Sequence, residues 1–338
     1  MSDIRRDLDK DFAYKRDRAI YEAERRKHSV YAKIPGLAQL ANEISLAGIR
    51  YARSLINESS SEESQALLDE MNRLSQKRED LLRANNIPLN YLEPEFECSI
   101  CQDRGYINRE GSSVTCSCYQ KVYLERLYQV SNLIDDGNTG FDFFDESFFS
   151  NKRDENRYSL DISPKEQILA IKDYCRNYAR RFPEDAPNLY FFGPTGTGKT
   201  FMAKSIGIEL IKAGFSVLYL SATTLFPIIQ QYRLNINRDG VSSEQAYNNL
   251  ITTNLLILDD LGTEPFSDSK YAELLTLLEL RKAQDVNKIA KTIISSNLDY
   301  KRLFQEYNER IASRIIGEFK AFQFIGEDIR ILKKINDY

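Results

Sequence analysis

Residues 193–200 read Gly-Pro-Thr-Gly-Thr-Gly-Lys-Thr and match the pattern G-x-x-x-x-G-K-[ST]. The apolar run Leu189-Tyr190-Phe191-Phe192 precedes them, and a helical pattern over 200–213 follows. Strand, glycine-rich turn and helix together are the context this motif requires, and they commit the surrounding chain to a parallel α/β sheet. The glycines let backbone N–H groups turn inward around phosphate oxygens, and the helix presents its positive N-terminal end to the anion. Gly193, Pro194, Thr195, Gly196, Thr197 and Gly198 are therefore the expected cradle of a nucleotide. Lys199 is expected at the β- and γ-phosphates, and the Thr200 hydroxyl on Mg²⁺.

The pattern after the loop supports the same fold. Short apolar segments at 216–220, 255–258 and 292–295 alternate with helical stretches, including one about 270–284, and predict a parallel sheet covered on both faces. Upstream, Ser163, Pro164 and Glu166 predict a capped helix to about residue 182. The segment Leu255–Leu258 delivers Asp259 and Asp260 to its C-terminal edge, where ligands bind in open α/β sheets. Asp259 is expected to hold Mg²⁺, and Asp260 to orient or polarise an attacking water. The segment Thr292–Ser295 leads to Asn297, a candidate partner of the γ-phosphate or that water. In Glu309-Arg310-Ile311-Ala312-Ser313-Arg314, the two arginines share one helical face. Either an ion-pair network or a cation acting on a neighbouring subunit's nucleotide accounts for them. Arg330 is a candidate for the same chain's nucleotide.

Before residue 160 the chain is organised differently. Helical patterns cover residues 3–27, 37–56 and 62–84, broken at Pro35-Gly36 and at the turn 58–61. Cys98-x₂-Cys101 and Cys116-x-Cys118 bracket a hairpin signal at 105–112. Two close cysteine pairs suit a tetrahedral Zn²⁺ site, with two disulfides or an iron–sulfur cluster as the alternatives. Cys175 falls within a helix and His28 on the charged first helix, so neither is a ligand candidate. After a helix at 119–130, the turn-rich residues 135–140 and five phenylalanines between 141 and 149 read as a linker pinned onto the next domain.

The 338 residues carry 46 Lys+Arg against 50 Asp+Glu, an ordinary balance for a folded protein of about two domains. No apolar run is long enough to cross a bilayer, and the charged N-terminus is no signal peptide, so a cytoplasmic location and no membrane partner are expected. Mixed polar, basic and aromatic residues at 223–246, among them Gln230, Gln231, Tyr232, Arg233 and Arg238, fit either a nucleic-acid contact or an ordinary surface.

Five stretches together resemble the DnaC/DnaI family of bacterial replicative helicase loaders, which are AAA+ ATPases, and in particular its zinc-containing members. They are residues 192–200, 256–264, 295–298, 309–314 and 326–330. In family terms they look like Walker A, Walker B, sensor 1, the arginine-finger helix with Arg314 at the finger position, and sensor 2 with Arg330. The resemblance implies a three-layer P-loop AAA+ domain at 161–338. A helicase-gripping all-α region at 1–93, a zinc module at 94–130 and a linker at 131–160 would precede it. It also implies ATP, Mg²⁺ and Zn²⁺ as ligands, and a hexameric replicative helicase, single-stranded DNA and further copies of the chain as partners. Asp260 stands where some relatives carry Glu, which implies slow hydrolysis. Two other readings share these motifs: a transposition-helper ATPase of the IstB type, and an adaptor that is gated by nucleotide with little turnover.

Overall fold

Pro35 occupies the first position of a helix, where its missing N–H costs nothing, and so divides the N-terminal pattern into α1 (Ser2–Lys33) and α2 (Pro35–Ile56). The structure, a computed structural model, describes every residue except 1, 57–60, 110, 134–137, 159, 237–242, 265–267, 287–288, 308 and 337–338. Residues 58–60 of the expected turn at 58–61, residues 135–137 of the turn at 135–140, and Arg238 lie outside the described residues. Two compact units result, residues 6–120 and residues 121–338 with 1–5.

In residues 6–120, α2 pairs with α3 (Ser61–Ala84). Val30, Leu37, Leu82 and Leu92 form a small buried cluster, so the helices share their core with the loop that follows them. Arg26 fastens that loop by donating to the carbonyls of Tyr91 (2.7 Å) and Glu93 (2.8 Å). The expected hairpin is β1 (Tyr106–Arg109) and β2 (Ser112–Thr115), antiparallel with Tyr106 opposite Thr115. The helix α4 (Ser117–Ser131) follows.

Residues 141–158 are more than a linker. They contain 3₁₀ turns at Phe141–Phe143 and Glu146–Phe148 and the short α5 (Glu155–Tyr158). Then comes α6 (Pro164–Asp185), whose Ser163 and Glu166 form the expected reciprocal cap. The order continues β3 (Asn188–Phe192), α7 (Lys199–Lys212), β4 (Val217–Ser221), α8 (Ala222–Arg233), α9 (Ser243–Thr252), β5 (Leu255–Leu261), α10 (Asp268–Asp285) and β6 (Lys291–Ser296). It ends with α11 (Tyr300–Glu306), α12 (Glu309–Glu318), β7 (Phe319–Gln323) and α13 (Ile329–Asn336).

The five strands β4-β5-β6-β3-β7 form one parallel sheet. Alternation along the buried strands sends Tyr190, Leu256, Leu258 and Ile294 to one face, where α8 to α12 cover them with Leu225, Phe226, Leu274, Leu277 and Ile311. On the other face α7 approaches so closely that a side-chain carbon at Gly207 would lie 3.1 Å from Ile257. The result is the expected three-layer P-loop sandwich. Two differences from the sequence reading stand out. Strand β5 runs to Leu261, three residues further than expected, because its two aspartates are part of the strand. The edge strand β7 carries too short an apolar alternation to be recognised by pattern.

Arg281 on α10 is 1% exposed. Its guanidinium donates to the carbonyls of Leu250 (2.7 Å), Thr253 (3.2 Å) and Lys291 (2.5 Å) and to the Thr292 hydroxyl (3.0 Å). Burial pulls its pKa down to about 9, against the attraction of Asp285. One side chain thus satisfies the exit of α9 and the entry of β6, and its removal leaves buried carbonyls without donors. Arg281→Met should cost about 3 kcal/mol. Thermal denaturation should show this as a melting point lower by roughly 6–12 °C in the unit of residues 121–338.

Candidate functional site

The strand order brings the C-terminal ends of β3, β6 and β5 side by side, and with them the phosphate loop, Asn297 and the two aspartates. Gly193, Gly196 and Gly198 adopt φ of 141°, 76° and 98°. At Gly196 the backbone is left-handed, and Asp328 stands 2.0 Å from where a side-chain carbon would be, so only glycine fits. Asp328 belongs to the C-terminal segment that docks on the loop. Ile329 N donates to Gly196 O (3.0 Å), and Phe324 N donates to Phe192 O (2.7 Å). Thr197 braces the loop from within by donating to Pro194 O at 2.8 Å.

Lys199, at the start of α7, is buried. Its ammonium donates to Gly193 O (2.8 Å), Pro194 O (2.7 Å) and Asn297 Oδ1 (2.9 Å). Burial lowers its pKa to about 8, with Asp260 and Asp259 opposing the shift. Asp259 is buried and fully engaged. Thr200 Oγ1 donates to its Oδ1 at 3.1 Å, the Ser295 hydroxyl donates to the same oxygen, and Tyr219 donates to Oδ2 at 2.6 Å. The next residue behaves differently. Between Leu258 and Leu261 the β5–β6 register breaks, and Asp260 takes φ 54°, which turns its side chain outward into a cavity. Burial first, then Asp259, raises the pKa of Asp260. The oxygens of Thr200 and Asp259 suit a hard cation such as Mg²⁺, which takes oxygen ligands.

The cavity has a volume of about 220 Å³. Thr195, Lys199, Thr200, Asp260 and Asn297 line it, and Arg330 reaches it from α13. Phe143, Phe144, Phe148 and Phe149 also line it, so the aromatic segment expected only to pin a linker contributes to the wall of the site. Arg314 is not among the residues lining this cavity; on α12 it pairs with Glu279 at 3.1 Å and faces Glu318 at 4.0 Å. Sequence reasoning missed Tyr219, Ser295 and Asp328. A phenol and a hydroxyl inside otherwise apolar strands were the available signal, but only the strand order aims them at Asp259.

The four cysteines near residue 100 are free, and their sulfurs all lie within 4.8 Å of one another. Cys98 and Cys116 are 3.9 Å apart, and Cys101 and Cys118 3.5 Å. A tetrahedral Zn²⁺ about 2.3 Å from each sulfur separates them by about 3.8 Å, so the donor set fits. Asp103 shapes the knuckle by accepting from Glu97 N (2.9 Å) and Cys98 N (2.8 Å). A backbone hydrogen bond from Cys101 lowers the Cys98 thiol to about 7, while burial raises Cys101 and Cys118. Cys175 is buried in α6, and His28 is exposed on α1.

In the 223–246 segment, Tyr232 stacks on Tyr247 with centroids 4.1 Å apart, and Arg233 pairs with Glu273 at 2.9 Å.

Residues 174–331 match the family of IstB-like ATP binding proteins. A replicative helicase loader DnaC of Buchnera aphidicola subsp. Baizongia pistaciae (strain Bp) is 31% identical over 163 residues, 48% of this chain and 61% of that protein. The chain is similar to helicase loaders of the DnaC type. It is also 24% identical over 188 residues to an insertion sequence IS232 putative ATP-binding protein of Bacillus thuringiensis subsp. berliner, 54% of this chain and 70% of that one. A crystal structure of DnaI shares 24% identity at a TM-score of 0.37, covering 46% of this chain and 85% of that one. The chain spans between 55% and 71% of the lengths of such curated relatives.

The Lys199 pKa sets a pH dependence. A bound triphosphate raises the ammonium's pKa above its value of about 8, so affinity is flat while both states are protonated. It falls once pH exceeds the lower of the two values. ATP titrations should therefore show constant affinity below about pH 7 and weakening between about pH 8 and 9.5, and Lys199→Met should abolish the slope.

Proposed function

We propose that the chain is an ATP-dependent loader of a hexameric replicative DNA helicase, binding ATP and single-stranded DNA when replication starts. One observation carries the reading: Lys199, Thr200, Asp260 and Asn297 line a single cavity, with the buried Asp259 hydrogen-bonded to Thr200 beside it. The similarity to DnaC loaders names the partner class.

In this reading the phosphate loop and Lys199 bind the triphosphate, and Thr200 and Asp259 hold Mg²⁺, which supplies charge neutralisation at the phosphate oxygens when bound. Lys199 would give up carbonyl partners for phosphate oxygens while Asn297 keeps its head in place. Asp260 orients the attacking water, and its short side chain supports slow hydrolysis. Arg330 stabilises charge on the same chain's nucleotide. Arg314, away from that cavity, serves a neighbouring copy, so the ATP-bound form self-associates. Residues 1–93 grip the helicase, 94–130 form the zinc module with Cys98, Cys101, Cys116 and Cys118 as ligands, 131–160 connect, and 161–338 are the ATPase domain. Cytoplasmic action fits this role, and no helix among the described residues is long and apolar enough to cross a membrane. Because Tyr232 and Arg233 already have partners, DNA binding is assigned to the chain and not to that segment.

The family match and the insertion-sequence relative favour a second reading, a helper ATPase in transposition. Gel filtration of the full chain with its host's replicative helicase separates the two. The loader should co-elute with helicase without nucleotide and separate from it with ATP and single-stranded DNA. No co-elution under either condition removes the loader, and co-elution with a transposase encoded beside it establishes the helper. For the metal, purified chain should contain stoichiometric zinc, and Cys101→Ser combined with Cys116→Ser should contain none. Absence of both zinc and titratable thiols would indicate disulfides instead.

A further inference from the structure

The turn that leaves β5 begins at Asp260 and is closed on itself. The Thr263 N–H and hydroxyl both donate to Asp260 O, at 3.2 and 2.8 Å. At its centre Gly262 takes φ 99°, and a side-chain carbon there would lie 2.8 Å from Leu298. The turn is therefore pressed against the residue that follows Asn297. Ser296 pins it from the same side by donating to Leu261 O at 2.6 Å.

Glu264 ends the turn, and its two carboxylate oxygens hold different elements. Oε2 accepts from Gly262 N at 2.9 Å, two residues from Asp260. Oε1 accepts from the Tyr307 hydroxyl. Tyr307 lies between α11 and α12, is 3% exposed, and packs its ring on Tyr271 with centroids 5.3 Å apart. Tyr271 fastens the same junction by donating to Glu306 O. Burial first, then the hydrogen bond to Glu264, raises the Tyr307 pKa, so the phenol stays a donor near neutral pH. Two residues beyond Tyr307, α12 begins and carries Arg310 and Arg314. A charged acceptor makes both of these hydrogen bonds stronger than neutral ones, so one carboxylate firmly joins the Asp260 turn to the start of α12.

We infer that Glu264 and Tyr307 are positioning residues: their contact ties the turn that carries Asp260 to the α11–α12 junction, so hydrolysis at a chain's own nucleotide depends on how its own α12 is held. The inference rests on the reading of Asp260 as the residue that orients the attacking water and of Arg314 as the one that serves a neighbouring copy. Neither Glu264 nor Tyr307 is among the residues lining the cavity, so they act on rate and not on affinity. Because Arg314 projects from α12, what that helix meets in a neighbour is felt at the Asp260 of its own chain. The dependence is reciprocal, since one contact serves both directions.

Single-turnover ATP hydrolysis by the full chain, with ATP binding measured beside it, tests this. Tyr307→Phe keeps the ring and its packing and removes only the hydroxyl. Glu264→Gln leaves one acceptor oxygen for two donors and so breaks one of the two bonds. Each should slow hydrolysis at saturating ATP about tenfold, with the affinity for ATP and the fraction of chains that bind it unchanged. A chain that merely folded less well would lose binding stoichiometry instead. The double variant should be no slower than either single one, because all three cut the same linkage. A mixture separates the two ends of the linkage: Arg314→Ala chains should hydrolyse ATP when Lys199→Met chains, whose own hydrolysis is disabled, supply the arginine. Tyr307→Phe added to the Arg314→Ala chains should still slow this reaction about tenfold, although their α12 has no finger arginine left to place. Wild-type rates in both single variants, multiplied losses in the double variant, or an effect confined to the arginine-supplying chains would overturn the inference. Wild-type rates in Asp260→Asn, or a mixture without activity, would instead bring down the roles read for Asp260 or Arg314, and the inference with them.

Discussion

A buried carboxylate, Asp259, is the point on which the site depends. Taking it out of water is costly unless its oxygens find donors. They find three hydroxyls, Thr200 from α7, Tyr219 from β4 and Ser295 from β6. Each comes from a different element, so satisfying one charge fixes the first turn of α7 against three adjoining strand ends. Lys199 repeats the arrangement from the other side, with its ammonium held by two loop carbonyls and Asn297. The loop is therefore already shaped around a cation, and ligand binding exchanges partners without building the site anew.

The consecutive aspartates show how one break in sheet register separates two environments. Asp259 keeps the strand geometry and points into packed structure. Asp260, at φ 54°, turns outward to the cavity with its pKa raised. A regular ladder would alternate them between the two faces of the sheet, and neither would point along the strand end toward ligand. The docking of the segment around Asp328 on Gly196 adds a second dependence, because α13 and its Arg330 hold their places only while the loop keeps its left-handed turn.

Residues 6–120 solve a different problem. Their helices are heavily charged, and the buried cluster around Leu37 and Leu82 is small. Backbone carbonyls taken by Arg26, the carboxylate of Asp103 over two N–H groups, and four convergent thiols provide order that apolar area alone does not. A metal bound there would contribute folding free energy directly, as in other small modules with modest cores.

Much of this was legible in the chain itself. The phosphate loop, the reciprocal cap at Ser163 and Glu166 and the cysteine pairs are local patterns with local physical causes: positive φ at glycine, capping hydrogen bonds, and ligand spacing. The sequence by itself determined a parallel α/β sheet with a phosphate loop, two carboxylates at a strand end, and a thiol cluster ahead of them. The tertiary structure alone decided that β6 lies between β3 and β5, which sets Asn297 against Lys199. It also decided that Tyr219 and Ser295 converge on Asp259, and that the phenylalanines of 143–149 wall the cavity instead of merely anchoring a connection. These depend on strand order and docking, which arise from burial of whole faces and leave no short-range signature along the chain.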